Sequence, residues 1–378
     1  MSDLIAFHIQ EEIIKRLPVK QLIQLRSVSK AWKSMIDSSD FIAAHSSHHT
    51  HLQYLLVKYQ DPVDTEEKHV SFVDDDTFPK QRFVLTLPSS VQILNLPRLI
   101  GISHGLLCLY DNYPKLRTAM AVLWNPSIRK SIAVAVPNEM HVGHETVIGF
   151  GVCPVTIDPM IIKITQFNWW YAEKSEINNP WKVKIYTMSS GKWRILSSNL
   201  LSKSFRVTFP HVVIDRFIYW CALHKVAIDG RLRSCNVIVS FDMSNESFGV
   251  VDLPDSLVAH HTNTQLCISK VRESLVMLKY KNRVCDVWMM EDGVGKSFTK
   301  RYTIKAPNGP KKTLGFRKNG NLVMEVKDYL IGPGKLVVYD PNSKHFDDLG
   351  ICGNGDSFFV NSYMETLLLC DRLDCSSN

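Results

Sequence analysis

Apolar residues recur at three- and four-residue spacings only near the start of the chain. Ile9, Ile13, Ile14 and Leu17 mark the buried stripe of one helix. Pro18 ends it, because a proline clashes with the preceding turn and lacks a donor; it also suits the first turn of a second helix. Leu22, Leu25, Val28, Trp32, Met35 and Ile36 carry the same spacing onward, and Ser29 is placed to cap a third helix within that run. Ser38 or Ser39 is placed to cap one more turn bearing Phe41 and Ile42. Three or more short helices are thus expected between residues 8 and 47. A module of that size buries little area and needs a neighbour.

From about residue 52 helical periodicity is almost absent and the sequence reads as short strands. Runs rich in Val, Ile, Tyr, Phe and Trp, such as HLQYLLVKY, MIIKITQF, FIYWCAL and KLVVYD, alternate with turns. Asp229-Gly230, Asp292-Gly293, Asn308-Gly309, Asn319-Gly320 and Asn354-Gly355 supply residues that tolerate positive φ. The region is expected to be all-β. One unit recurs: a strand ending in an aromatic, a polar turn, and a returning strand. Its markers Trp124, Tyr186, Phe241, Trp288 and Tyr339 are 62, 55, 47 and 51 residues apart by subtraction. A period of about 50 with several strands per unit is that of kelch-like propeller blades. The count points to six blades, with seven as the alternative. SFFVNSYMETLLLC is expected to begin a last blade completed by strands near 52–58 and 82–87.

Composition narrows the chemistry. Of 378 residues, 45% are hydrophobic and 21% charged, which supports a real core. No apolar run reaches a membrane span, and MSDLIAFHIQEEIIKR lacks the features of a secretory signal, so a cytoplasmic or nuclear protein is expected. The net charge of +7 comes without clustering, which argues against a nucleic-acid groove. Nine cysteines, an odd number with no C-x-x-C pair, read as reduced and buried. His45, His48, His49 and His51 read as a solvated linker rather than a metal cluster. Gly295-Lys296-Ser297 lacks the rest of a phosphate-binding loop, and Asp74-Asp75-Asp76 reads as a loop. Trp169-Trp170-Tyr171 reads either as buried between blades or as an exposed tip suited to capturing a protein. No nucleophile elbow or dinucleotide fingerprint is present, and no cofactor or metal is expected.

IQEEIIKRLPVKQLIQLRSVSKAWKSMIDSSDFI resembles an F-box in the form common among plant F-box proteins. The shared positions are Glu12-Ile13-Ile14, Arg16-Leu17-Pro18-Val19-Lys20, Leu22, Arg26, Val28-Ser29-Lys30, Trp32 and Phe41. Ile5-Ala6 stands where that family usually opens with Leu-Pro or Ile-Pro. GLLCL, LWNPSIRK and GFG similarly resemble the plant F-box-associated interaction domain. The resemblance implies a module over 1–47 that binds an Skp-type adaptor and, through it, a cullin of a ubiquitin ligase. It implies a region over 48–378 that captures a target protein. Carried over by position, Leu17, Pro18, Val19, Leu22, Val28 and Trp32 would lie at or beneath the adaptor contact. Ile13, Ile14, Leu25, Met35 and Ile36 would support it from the core. The implied function is that of a non-catalytic substrate-recognition subunit. The rivals are an enzyme built on the propeller, of glycan hydrolase type, and a scaffold that does not promote degradation.

Overall fold

The structure is a computed structural model. It describes residues 5–47, 53–92, 94, 97–113, 118–137, 144–167, 180–228, 231–259, 264–281, 284–291, 297–305, 311–327 and 332–371. Four helices come first: α1 (Phe7–Ile14), α2 (Val19–Leu25), α3 (Lys30–Ile36) and α4 (Ser39–Ser47). Ser29 caps α3 by accepting from the Trp32 N–H at 3.1 Å, as the spacing predicts, and the Ser38 hydroxyl accepts from the Phe41 N–H at 3.3 Å ahead of α4. Pro18 sits one place earlier than expected, at the cap of α2, where its fixed φ turns the chain between helices.

Among the described residues, the elements that follow are strands, apart from the single turns Ser89–Gln92 and Asp255–Val258. The strands are β1 (Gln53–Gln60), β2 (Glu67–Val73) and β3 (Arg82–Val84), then β4 (Arg98–Ser103), β5 (Leu106–Tyr113), β6 (Thr118–Asn125) and β7 (Lys130–Ala135). Next come β8 (His144–Val152), β9 (Pro159–Phe167), β10 (Lys182–Thr187) and β11 (Lys192–Leu196). β12 (Phe205–Ile214), β13 (Phe217–Ile228), β14 (Arg231–Asp242) and β15 (Ser247–Val251) follow. The last are β16 (Gln265–Val271), β17 (Ser274–Lys281), β18 (Val284–Met290), β19 (Phe298–Lys305), β20 (Lys311–Phe316), β21 (Leu322–Lys327), β22 (Gly334–Tyr339), β23 (Phe346–Gly353) and β24 (Phe359–Met364). They form six four-stranded sheets, the blades of a β-propeller. Five are consecutive meanders, and the sixth has the order β24-β1-β2-β3, so both ends of the β region share one sheet.

The meanders share parts of one local chemistry. In three of them the third strand ends in a buried aromatic paired across the ladder with another: Tyr186 with Trp193, Phe241 with Phe248, Tyr339 with Phe346, at ring separations of 5.6, 4.9 and 4.6 Å, whereas buried Trp124 lies opposite Ser131. An Asx residue then accepts from the backbone N–H two residues on. Asn125 does so from Ser127 at 3.0 Å, Asp242 from Ser244 at 2.9 Å and Asp340 from Asn342 at 2.8 Å. Two places further, Arg129, Glu246 and Lys344 take φ of 57°, 50° and 58° and return the chain. Trp288 departs from this rule, because the β18–β19 register slips between Val287 and Trp288 and leaves Trp288 opposite Lys300.

The described chain divides into two compact units, Met1–Tyr54 with Ser71–Asn138 and Ser362–Asn378, and Leu55–Val70 with Glu139–Asn361. In the second, neighbouring sheets bury their faces on each other. Trp181, Trp220, Phe241, Ile162 and Ile164 form one such layer between β8–β11 and β12–β15. Gly149 makes room for it, since a Cβ there would lie 2.5 Å from the Trp220 ring.

Several sequence expectations change. Asp74-Asp75-Asp76 does lie in the loop after β2, but Asp74 itself is buried and its N–H donates to the Gln53 carbonyl at 2.8 Å. His45 is no linker residue: it lies buried in α4, its Nε2 3.1 Å from the Leu17 carbonyl. Cys352 is exposed, although most of the described cysteines are buried, and none of the described cysteines is in a disulfide. Asn319-Gly320 does form a tight turn with Gly320 at φ 94°, whereas at Asn354-Gly355 the positive φ falls on Asp356. His48, His49, His51, Trp169-Trp170-Tyr171, Gly295-Lys296, Cys375 and the other three Asx-Gly pairs lie outside the described residues. Among the described residues no helix is long and apolar enough to cross a membrane.

Candidate functional site

The helical module sorts its apolar side chains into two groups. Ile14 of α1, Val19 and Leu22 of α2, Met35 and Ile36 of α3, and Phe41 and Ile42 of α4 are buried and hold the helices together. Trp32 is half-buried, and its Nε1 donates to Gln10 Oε1 at 3.1 Å, tying α3 to α1. The Arg26 guanidinium closes the α2–α3 corner by gripping both Asp37 oxygens at 2.6 and 2.8 Å, which raises the Arg26 pKa.

The other group faces outward. Ile5, Phe7 and Ile9 are nearly half exposed, Ile13 is 53% exposed and Val28 64%. Ile9 and Ile13 lie four apart on α1 and so share one face, while Ile5 precedes the helix. Of the twelve large exposed hydrophobics among the described residues, these five fall within residues 5–28. The helical module thus carries a large share of the exposed apolar side chains among the described residues. Lys15 reaches Glu11 at 3.0 Å and Glu12 at 2.9 Å, giving the helix a charged flank and raising the lysine's pKa.

The expected site residues therefore separate. Pro18 and Val28 are exposed, and Leu17 and Trp32 are partly so. Val19 and Leu22, placed with the contact set, are wholly buried, so within this chain they are core. Ile13, placed with the core, lies on the surface instead. Ile14, Met35 and Ile36 are core and Leu25 is half-buried. Exposed Ile9, counted on the buried stripe, carries no sequence signal of its own, because a face turned to a partner and a face turned to the core are equally apolar.

Beyond the helical module, one polar group spans β8, β9 and β12. Arg206 of β12 makes two bonds to Glu145 of β8, at 2.6 and 3.1 Å, and Gln166 joins them at 2.7 Å. No group of three metal-ligating side chains occurs among the described residues.

The family described as "F-box domain" matches residues 6–43, and that described as "F-box associated beta propeller domain" matches residues 74–371. The chain belongs to the F-box proteins with an associated β-propeller. Similar curated proteins are F-box protein CPR1 of Arabidopsis thaliana, 26% identical over 97% of this chain and 89% of that one, and F-box protein At3g07870 of the same plant, 26% identical over 94% and 89%. Among solved structures, the β-propeller domain of the Trilobed protease from Pyrococcus furiosus covers 84% of this chain and 95% of its own. At a TM-score of 0.41 and 6% identity, that likeness is too loose to carry any argument. The exposed apolar residues described above thus lie mostly on the F-box, and the β-propeller match takes in the strands from β3 to β24.

Proposed function

We propose that this F-box protein is the substrate-recognition subunit of an SCF-type ubiquitin ligase, in the cytoplasm or nucleus. Residues 1–47 dock an Skp-type adaptor and through it a cullin, and residues 48–378 hold a target protein. The chain itself performs no chemistry. It raises the effective concentration of target lysines near the ubiquitin-conjugating enzyme. The aromatic spacing of about 50 residues supports reading the sheets as kelch-like blades.

The observation that carries the reading is the exposed face on α1 and the α2–α3 corner: Ile9, Ile13 and Val28, flanked by Pro18, Leu17 and Trp32. An amphipathic partner helix would lay its own apolar stripe there. Calorimetric titration of purified adaptor into the full chain and into Ile13→Asp/Val28→Asp tests it. The double variant should bind at least about 30-fold more weakly, as loss of a central anchor does. It should melt within a few degrees of wild type, because neither side chain is in the core. Equal affinity in the folded variant, or no binding by wild type, would refute the assignment.

A further inference from the structure

The segment after β24 behaves as part of two neighbours at once. Leu367, Leu368, Leu369 and Cys370 are all buried, and the Cys370 N–H closes a turn on the Leu367 carbonyl at 2.9 Å. On the propeller side the segment meets the Trp124-Asn125-Pro126 turn between β6 and β7. The buried Asn125 amide donates to the carbonyls of Thr366 at 2.9 Å and Leu368 at 2.7 Å, while its oxygen accepts from the Ser127 N–H. The Ser127 hydroxyl lies 2.6 Å from the Tyr363 hydroxyl. On the helical side, Arg26, already fixed by Asp37, donates to the Cys370 carbonyl at 3.3 Å. Lys130 of β7 donates to that same carbonyl at 3.3 Å. One backbone oxygen therefore receives a bond from the F-box and another from the blade. All these residues belong to one compact unit.

We infer that residues 363–371 are a clasp that fixes the F-box on the β4–β7 blade, with Arg26, Lys130 and Asn125 as its positioning residues. The Trp-Asn-Pro turn is then the socket for the clasp rather than a target-binding motif. An asparagine is required there, since it supplies two donors and one acceptor from one side chain. The clasp separates two properties of the F-box. Its apolar face decides whether an adaptor binds, and the clasp decides in which direction that adaptor points. The second consequence rests on the adaptor reading above; the clasp itself does not.

The test is amide hydrogen exchange on the full chain, comparing wild type, Arg26→Gln/Lys130→Gln and Asp37→Asn. The first variant replaces both cationic donors to the Cys370 carbonyl with shorter, neutral side chains. The second removes the ion pair within the F-box but leaves Arg26 able to reach that carbonyl. The clasp predicts at least tenfold faster exchange over Phe7–Ser47 in the double variant, with β8 to β23 unchanged, and a much smaller change in Asp37→Asn. Unchanged F-box exchange in the double variant overturns the proposal. So does an equal rise in Asp37→Asn, which would assign the effect to the ion pair alone. Should the double variant lose protection throughout, Lys130→Gln alone decides by the same comparison. Adaptor affinity is measured in parallel and should stay within threefold of wild type. Failure of wild type to bind adaptor would sink the ligase reading and leave the exchange result standing.

Discussion

Two single residues show how narrow the local tolerances are. Gly105, in the β4–β5 turn, has φ 76°, and a Cβ there would lie 2.3 Å from the Met364 carbonyl oxygen. Gly105→Ala should cost at least about 2 kcal/mol, from left-handed strain and the clash together, read as a lower urea midpoint. His211 is buried on β12, and burial pushes its pKa down to about 4. Its Nε2 lies 3.0 Å from the Phe150 carbonyl. The unfolded chain protonates first, near the ordinary 6.5. Stability is therefore full above pH 6.5 and falls as the pH drops towards about 4, by up to a few kcal/mol. His69, also pushed down to about 4, acts in the same window. Urea midpoints of His211→Gln between pH 7.5 and 4.5 should show a shallower acid limb than wild type; an identical limb would exclude the histidine as its source. At this scale the sequence was partly legible. Ser29 could be read as a cap because capping depends on a hydroxyl three residues before an amide. Ile13 could not be sorted from Ile14, since adjacent positions of the same residue type carry no mark of which way they face. Gly105 stood out only as a glycine; the Met364 carbonyl it meets is 259 residues away by subtraction.

Among elements, the hairpin joining third and fourth strands is the most legible, because its information is local. An aromatic, an Asx residue and a short turn reverse the chain after β6, β14 and β22. Asp242 accepts from the N–H groups of Ser244 and Asn245 and from the Asn245 side chain. Asp242→Ala should therefore destabilise by about 1–3 kcal/mol, the cost of unmaking such bonds in a largely buried turn. Asp242→Asn keeps an acceptor and should recover most of that in the same denaturation series. If both variants behave alike, the turn is not held by the side-chain oxygen. The Asx-Gly pairs were a poorer guide. His104, Asp215 and Arg272 hold φ of 47°, 50° and 53° at other turns, so positive φ here is often carried by residues that no glycine search detects.

At the level of the whole molecule, the six blades and their closure followed from counting the repeat and from the strand-like run near residue 360. The clasp did not, because its bonds run from side chains to carbonyls, and a carbonyl is the same in every residue. Deleting residues 359–371 should therefore do more than shorten an edge. It removes β24 and the partners of Asn125 and Arg26 together. Calorimetry should show a loss of several kcal/mol, felt by both the helices and the β4–β7 blade; a melt unchanged from wild type would contradict the shared sheet. That sheet also has a bearing on synthesis. β1 ends at Gln60 and its neighbour β24 begins at Phe359, so about 300 residues must leave the ribosome between them. At ~5–20 residues per second that is roughly 15–60 s. Through that interval one edge of β1 has no strand to pair with, and the nascent chain displays bare backbone donors and acceptors, the surface that chaperones shield and aggregates seek.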